Sequence, residues 1–162
     1  MRRIRFHIVL GLCMLALSAC TPKPEPIRYG EERGAYCMMN IADERFGAEL
    51  VTTKGKVYKF DSIECLAGFL LEERVAAGEV HSLWVTDFAH PPTLIRAEEA
   101  HFLHSPNVHS PMGMNLAALA TREDLAAVRA EVGGEVLTWD EVLALVRQER
   151  PGHPAHDPTA MP

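Results

Sequence analysis

Gly55-Lys-Val-Tyr-Lys-Phe-Asp61 and Gly134-Glu-Val-Leu-Thr-Trp-Asp140 carry the same glycine, valine and aspartate at three of seven positions. Each follows a stretch of strand composition, Gly47 to Thr52 or Ala126 to Glu131, and a turn, Thr53-Lys54-Gly55 or Gly133-Gly134. In each, the aspartate is placed to cap a helix, because a short side-chain oxygen accepts an orphan N–H of the first turn. Glu64, three residues after Asp61, adds the acceptor of a capping box. The helices read Ser62 to Arg74, with Ile63, Leu66, Phe69 and Leu70 on one face, and Glu141 to Gln148, with Val142, Leu145 and Val146. A hairpin and one helix bury little alone. The sequence therefore predicts two pseudo-symmetric ββα-type units packed as one α+β domain.

Between the copies, Ser82 to Phe88 has apolar residues on both alternating faces, as a buried strand does. Ala97 to Leu103 is compatible with a short helix or a strand.

Working outward, Tyr36-Cys37-Met38-Met39-Asn40-Ile41 lies ahead of the first hairpin. If this run is extended, Cys37, Met39 and Ile41 share a face and Met38 points the other way. A thiolate and a thioether converging from one face form a soft donor set of the kind that selects Cu(I). The competing reading is core packing, since methionine fills gaps and cysteine behaves as a small hydrophobe. A second sulfur-rich run, His109-Ser110-Pro111-Met112-Gly113-Met114-Asn115, precedes the second hairpin in the same way. Its proline and glycine predict a turn that presents Met112. Packed about a pseudo-twofold axis, the two runs would place Cys37, Met39 and Met112 in one metal site. Met38, Met114, His90, His104 and His109 are weaker candidates, and His153 and His156 form at most a flexible secondary site.

At the N-terminus, Arg2, Arg3 and Arg5 precede a short apolar run, Ile8 to Leu17, that has the form of a secretory signal and is too short to span a bilayer comfortably. Its ending, Leu17-Ser18-Ala19-Cys20, resembles the lipobox of bacterial lipoproteins, which implies a lipidated Cys20 as the first mature residue and anchorage to the lipid bilayer. The expected organisation is a signal peptide over 1–19, a lipidated, proline-rich tether over 20–34, a folded domain over 35–150 and a disordered tail over 151–162. Loss of the three signal arginines takes the formal charge from −6 to −9, which argues against nucleic acid or an anionic bilayer surface as the domain's partner. With Cys13 in the signal and Cys20 under lipid, Cys37 and Cys65 are the thiols left. On cysteine counting alone a Cys37–Cys65 disulfide is the favoured outcome in an oxidising compartment.

The ordered set of the lipobox, C-x-M-x-I at Cys37 to Ile41, KVYKFDSIECL at Lys56 to Leu66, WVTD at Trp84 to Asp87 and Ser110-Pro-Met-Gly113 resembles the NosL family of copper lipoproteins accessory to nitrous oxide reductase assembly. The resemblance implies a Cu(I)-binding periplasmic chaperone, not an enzyme, with a fold of paired ββα-type units like those of organomercurial lyase. It implies partners in a membrane transporter complex and, directly or indirectly, in the apo-protein of nitrous oxide reductase; a homodimer around copper is left open. By motif it assigns Cys37, Met39 and Met112 to the copper. Where the family commonly has glycine after the cysteine, this chain has Met38, a further sulfur beside the site. Two rival readings stand beside it: a thiol-chemistry enzyme of organomercurial-lyase-like fold using Cys37, Cys65 and Asp87, and a structural lipoprotein bridged through Cys37 and Cys65.

Overall fold

A computed structural model describes residues 21–149. Cys20, the signal segment and the tail with His153 and His156 lie outside the described residues. The elements are strands β1 (Ala48–Thr52) and β2 (Val57–Phe60), helix α1 (Ile63–Leu71), a 3-10 turn (Ala77–Glu79), and strands β3 (Val80–Thr86), β4 (Leu94–Arg96), β5 (His101–His104) and β6 (Leu116–Leu119). Helix α2 (Arg122–Val132), strand β7 (Glu135–Leu137) and helix α3 (Trp139–Glu149) follow. Two antiparallel sheets, ordered β2-β1-β3-β4 and β6-β5-β7, carry the α+β fold. They meet where Asp87 bridges to Ala118.

The first hairpin and its helix follow the sequence pattern. Leu50, Phe60, Leu83 and Val85 form a buried layer with Ile63, Leu66 and Phe69 of α1, and Val142 and Val146 of α3 close it. At about 25 cal/mol per Å² of apolar surface removed from water, this layer is the principal stabilising feature of the fold. A smaller cluster of Phe46, Leu103, Val108, Ala117 and Leu119 is covered by Leu125, Val128 and Val132 of α2.

The second copy of the repeat is different. Ala126 to Glu131, expected as a strand, lies within α2. Its small residues alternate as a strand would, but Leu125, Val128 and Val132 have helical spacing, and the helix is well terminated. The Thr121 hydroxyl accepts the Asp124 N–H, acidic Glu123 and Asp124 occupy the positive first turn, and Gly133 at φ +70° ends the helix. Gly55–Asp61 and Gly134–Asp140 are therefore not equivalent: β2 closes a hairpin, whereas β7 follows a helix. The connection order is shared in another register, with β1-β2-α1-β3 and β5-β6-α2-β7 each adding the third strand beside the first.

Neither aspartate is the cap expected of it. The Ser62 hydroxyl accepts the Cys65 N–H at 3.3 Å, so Ser62 caps α1 and leaves Asp61 free to face elsewhere. At α3 the Thr138 hydroxyl accepts the Glu141 N–H, and the Glu141 carboxylate accepts the Thr138 N–H, a reciprocal capping box that puts Asp140 inside the helix. Ala97 to Leu103 divides into a turn and β5.

The described part of the expected tether, 21–34, lies along the first sheet instead of standing off it. The Glu25 N–H donates to Glu49 Oε2 at 3.0 Å, and Lys59 Nζ donates to the Pro26 carbonyl at 2.9 Å and to Glu32 at 3.0 Å. Tyr29 and Ile27 fit against Gly47, where an added Cβ would sit 2.5 Å from the tyrosine oxygen. Ile27, Tyr29 and Glu32 give this proline-rich segment a surface to lie on.

Candidate metal centre

The segment over 21–34, a strap across the first sheet, continues into a short hairpin that carries Cys37. The Gly30 N–H donates to the Ile41 carbonyl (2.8 Å), the Ile41 N–H to the Glu32 carbonyl (2.9 Å), and the Gly34 N–H to the Met39 carbonyl (2.8 Å), with Arg33 and Asn40 bridged. Cys37 and Met38 thus sit at a hairpin tip. The extended reading, with Cys37, Met39 and Ile41 on one face, does not hold: Met38 is left-handed at φ +59°, Ile41 is fully buried, and Met39 is half exposed. The turn brings the Met39 N–H back onto Cys37 Sγ at 3.4 Å.

Two contacts seat this tip against α1. Tyr36 lies over Gly68, where an added Cβ would be 2.8 Å from its ring, and the tyrosine hydroxyl donates to Glu72 at 2.6 Å. Cys37 packs next to Gly34, where an added Cβ would sit 3.3 Å from the sulfur. The Cys37 thiol donates to Asp61 Oδ1 at 3.3 Å. Cys65, one helical turn beyond Asp61, completes a group in which Cys37, Asp61 and Cys65 offer ligand atoms within 4.8 Å of one another. Both cysteines are free.

Asp61 and Cys65 are buried and Cys37 is partly open, so the group has a closed floor and an accessible edge. Burial, aided by the Asp61 carboxylate and opposed by the Met39 N–H, pushes the Cys37 thiol up. Burial pushes Cys65 up as well, with Asp61 adding to it. Both thiols are therefore held protonated in the absence of a cation. Asp61 Oδ2 is buried without a hydrogen-bond partner. An orphaned carboxylate oxygen beside two soft sulfurs is what a bound cation would satisfy, since a metal replaces the thiol protons and neutralises the clustered charge.

The second sulfur-rich run forms the expected turn, with the Gly113 N–H on the Ser110 carbonyl at 2.9 Å and Gly113 at φ +75°. It is tied to the same first turn of α1. The Ser110 hydroxyl and the Met114 N–H, the latter at 3.3 Å, both donate to Glu64 Oε1, and Ser110 Oγ accepts the Asn115 N–H at 2.8 Å. Met112 and Met114 are partly buried against the main core, as is Cys37. The two sulfur-bearing segments are thus joined through Asp61, Glu64 and Cys65.

The weaker candidates divide. Met38 is 62% exposed at the hairpin tip. His104 lines a surface pocket with Gly113, Met114, Leu145 and Glu149, and His109 is exposed. His90 lies in a separate group with Asp87 and Asp124, its Nδ1 2.9 Å from Asp87 Oδ2; this contact raises its pKa. Asp87 therefore does not join Cys37 and Cys65. Sequence reasoning pairs Cys65 with Cys37 as a disulfide or as reactive thiols, but misses Asp61 between them and Glu64 beneath the Met112 turn. The available signal was the Asp61-Ser62 doublet, because one helix start needs one cap and the other side chain is released.

A search of curated proteins returned no match. Among solved structures, the fold is similar to the crystal structure of the copper chaperone NosL from Shewanella denitrificans, with a TM-score of 0.63 and 25% identity over 74% of this chain and 96% of that one. Residues 28–146, from the strap to the last buried turn of α3, match the NosL family model, and the chain belongs to the NosL family.

Proposed function

We propose that this chain is a membrane-anchored periplasmic Cu(I) chaperone that supplies copper for the maturation of nitrous oxide reductase. The observation that carries the reading is the convergence of the partly open Cys37 thiol with the orphaned Asp61 carboxylate, in a chain whose structural relative is a copper chaperone. Copper is cargo here. Cys37 Sγ is the thiolate that holds it, Met39 and Met112 supply thioethers, and Asp61 offers a hard oxygen at the floor. A thiolate with thioethers favours Cu(I) over zinc, whose sites are built from cysteine, histidine and carboxylate and do not use methionine. The buried Cys65 acts as a neighbour that shapes the floor.

Binding displaces the Cys37 proton, so affinity falls as pH drops. Exposure of the Cys37 edge suits a carrier, because an incoming ligand can add to the metal before a resident one leaves. Lipid on Cys20 would hold the carrier beside membrane-bound recipients, and the net negative domain suits a basic docking face on the transporter complex.

The test is an anaerobic Cu(I) competition titration of the full chain in detergent. Cys37→Ser should lose more than about a hundredfold in affinity, beyond the 10–100-fold typical of removing an outer-shell partner. Met39→Leu and Met112→Leu should each lose less. Retention of parental affinity in Cys37→Ser would refute the site.

A further inference from the structure

Met38 stands out at the hairpin tip on three independent counts. Its side chain is 62% exposed, and the large apolar side chains exposed among the described residues are Met38, Met39 and Val136. Its backbone is left-handed at φ +59°, a region that disfavours any residue with a Cβ. It also directly follows Cys37, whose sulfur forms the open edge of the metal group. Burial gains nothing from this methionine, and the turn would be less strained with glycine. An unbranched thioether with three rotatable bonds is, however, the side chain that can sweep between solvent and the neighbouring cysteine sulfur, since consecutive Cα atoms are about 3.8 Å apart.

We propose that Met38 is a transfer ligand, a solvent-facing thioether that meets Cu(I) before Cys37 takes it and again as it leaves. The proposal rests on the Cu(I) reading above and adds a step to it. On entry, the Met38 Sδ–Cu bond forms as one bond from copper to the donor's ligand breaks. The Cys37 Sγ–Cu bond then forms, the thiol proton passes to water, and the Met38 bond is released as the Met39 and Met112 thioethers bind. Copper stays Cu(I) throughout, and no electron moves. The thioether is neutral and carries no proton to lose, so first contact does not wait on thiol ionisation. On exit the order reverses.

The experiment compares the full chain in detergent, loaded anaerobically with Cu(I), with its Met38→Leu and Met38→Gly variants. Each is mixed with excess bathocuproine disulfonate, and both the rate of copper loss and the equilibrium affinity are read. The expected result is transfer slowed about tenfold in both variants with affinity changed less than about twofold, a barrier effect without a matching ground-state effect. Leucine keeps the bulk and the strained backbone but removes sulfur; glycine removes strain and sulfur together. Parental rates in Met38→Leu would overturn the proposal, as would slowing in Met38→Gly alone, which would assign the effect to the backbone. An affinity loss in Met38→Leu as large as that of Met39→Leu would make Met38 a resident ligand and also overturn it. If the parent binds copper through Cys37 and these rates do not change, only this inference fails; if the parent does not bind copper, the functional reading fails with it.

Discussion

The two sulfur-bearing segments reach the same helix start by opposite means. The Cys37 hairpin is seated on α1 through Tyr36 and Cys37, its strap is tied to the sheet by contacts that include the Lys59–Glu32 ion pair and the N–H donated to Glu49, and Met38 and Met39 stay exposed. The Met112 turn is held from inside, by the fully buried Glu64 and the Ser110 hydroxyl, and its methionines are partly buried. In the proposed centre one side is thus open and the other is enclosed. A carrier needs both: an enclosed side to select the metal and an open side to admit a competitor for it.

The enclosed side should break most severely. Glu64→Ala removes the acceptor of the buried Ser110 hydroxyl and of the part-buried Met114 N–H, which should cost about 2 kcal/mol of folding stability. Through the loosened turn it should also cost about tenfold in Cu(I) affinity. Urea unfolding and copper competition read the two effects. In a Met112→Leu background the affinity part should vanish, because Glu64 acts through that turn; full additivity would place its effect elsewhere.

The strap is softer and responds to pH. Burial pushes the Glu49 carboxyl up to about 7, partly offset by the Glu25 N–H and the charge of Lys59. A carboxyl with a raised native pKa holds its proton more tightly in the folded state, so its favourable contribution is complete below the unfolded value of 4.5 and is lost as pH rises to about 7. The parent should therefore lose on the order of 1 kcal/mol between these limits through this group. Glu64, also raised by burial, adds to the same slope. The diagnostic is the difference between parent and Glu49→Gln melting curves from pH 4.5 to 8, which should shrink the slope. Equal slopes would remove Glu49 from the account.

An effect no larger than this is expected at the ion pair. Lys59→Met should cost about 1 kcal/mol at low salt and less at high salt, since a largely covered ion pair and the hydrogen bond to the Pro26 carbonyl are lost together. Urea unfolding at two ionic strengths checks it.

These contrasts also mark what a one-dimensional reading can reach. The first hairpin and α1 were legible because strand alternation, a turn glycine and helical apolar spacing follow one another within Ala48–Leu71. The second unit was misread at Ala126–Glu131, where small residues satisfy both periods and only the Thr121 cap and the Leu125, Val128, Val132 stripe choose helix. Cys37 and Met112 were visible as chemistry. Their common support was not: Glu64 meets Ser110 across 46 residues, and Asp61 meets Cys37 across 24, pairings that no local pattern encodes. The strap shows the same limit, since three prolines predict extension but not the sheet face beneath it.

The central claim is that copper is held jointly by the open and the enclosed segment, and X-ray absorption of the Cu(I)-loaded full chain tests it most directly. The account predicts three sulfur scatterers from Cys37, Met39 and Met112, falling to two in Met112→Leu. A copper shell without sulfur in the parent, or one with unchanged sulfur count in Met112→Leu, would contradict it.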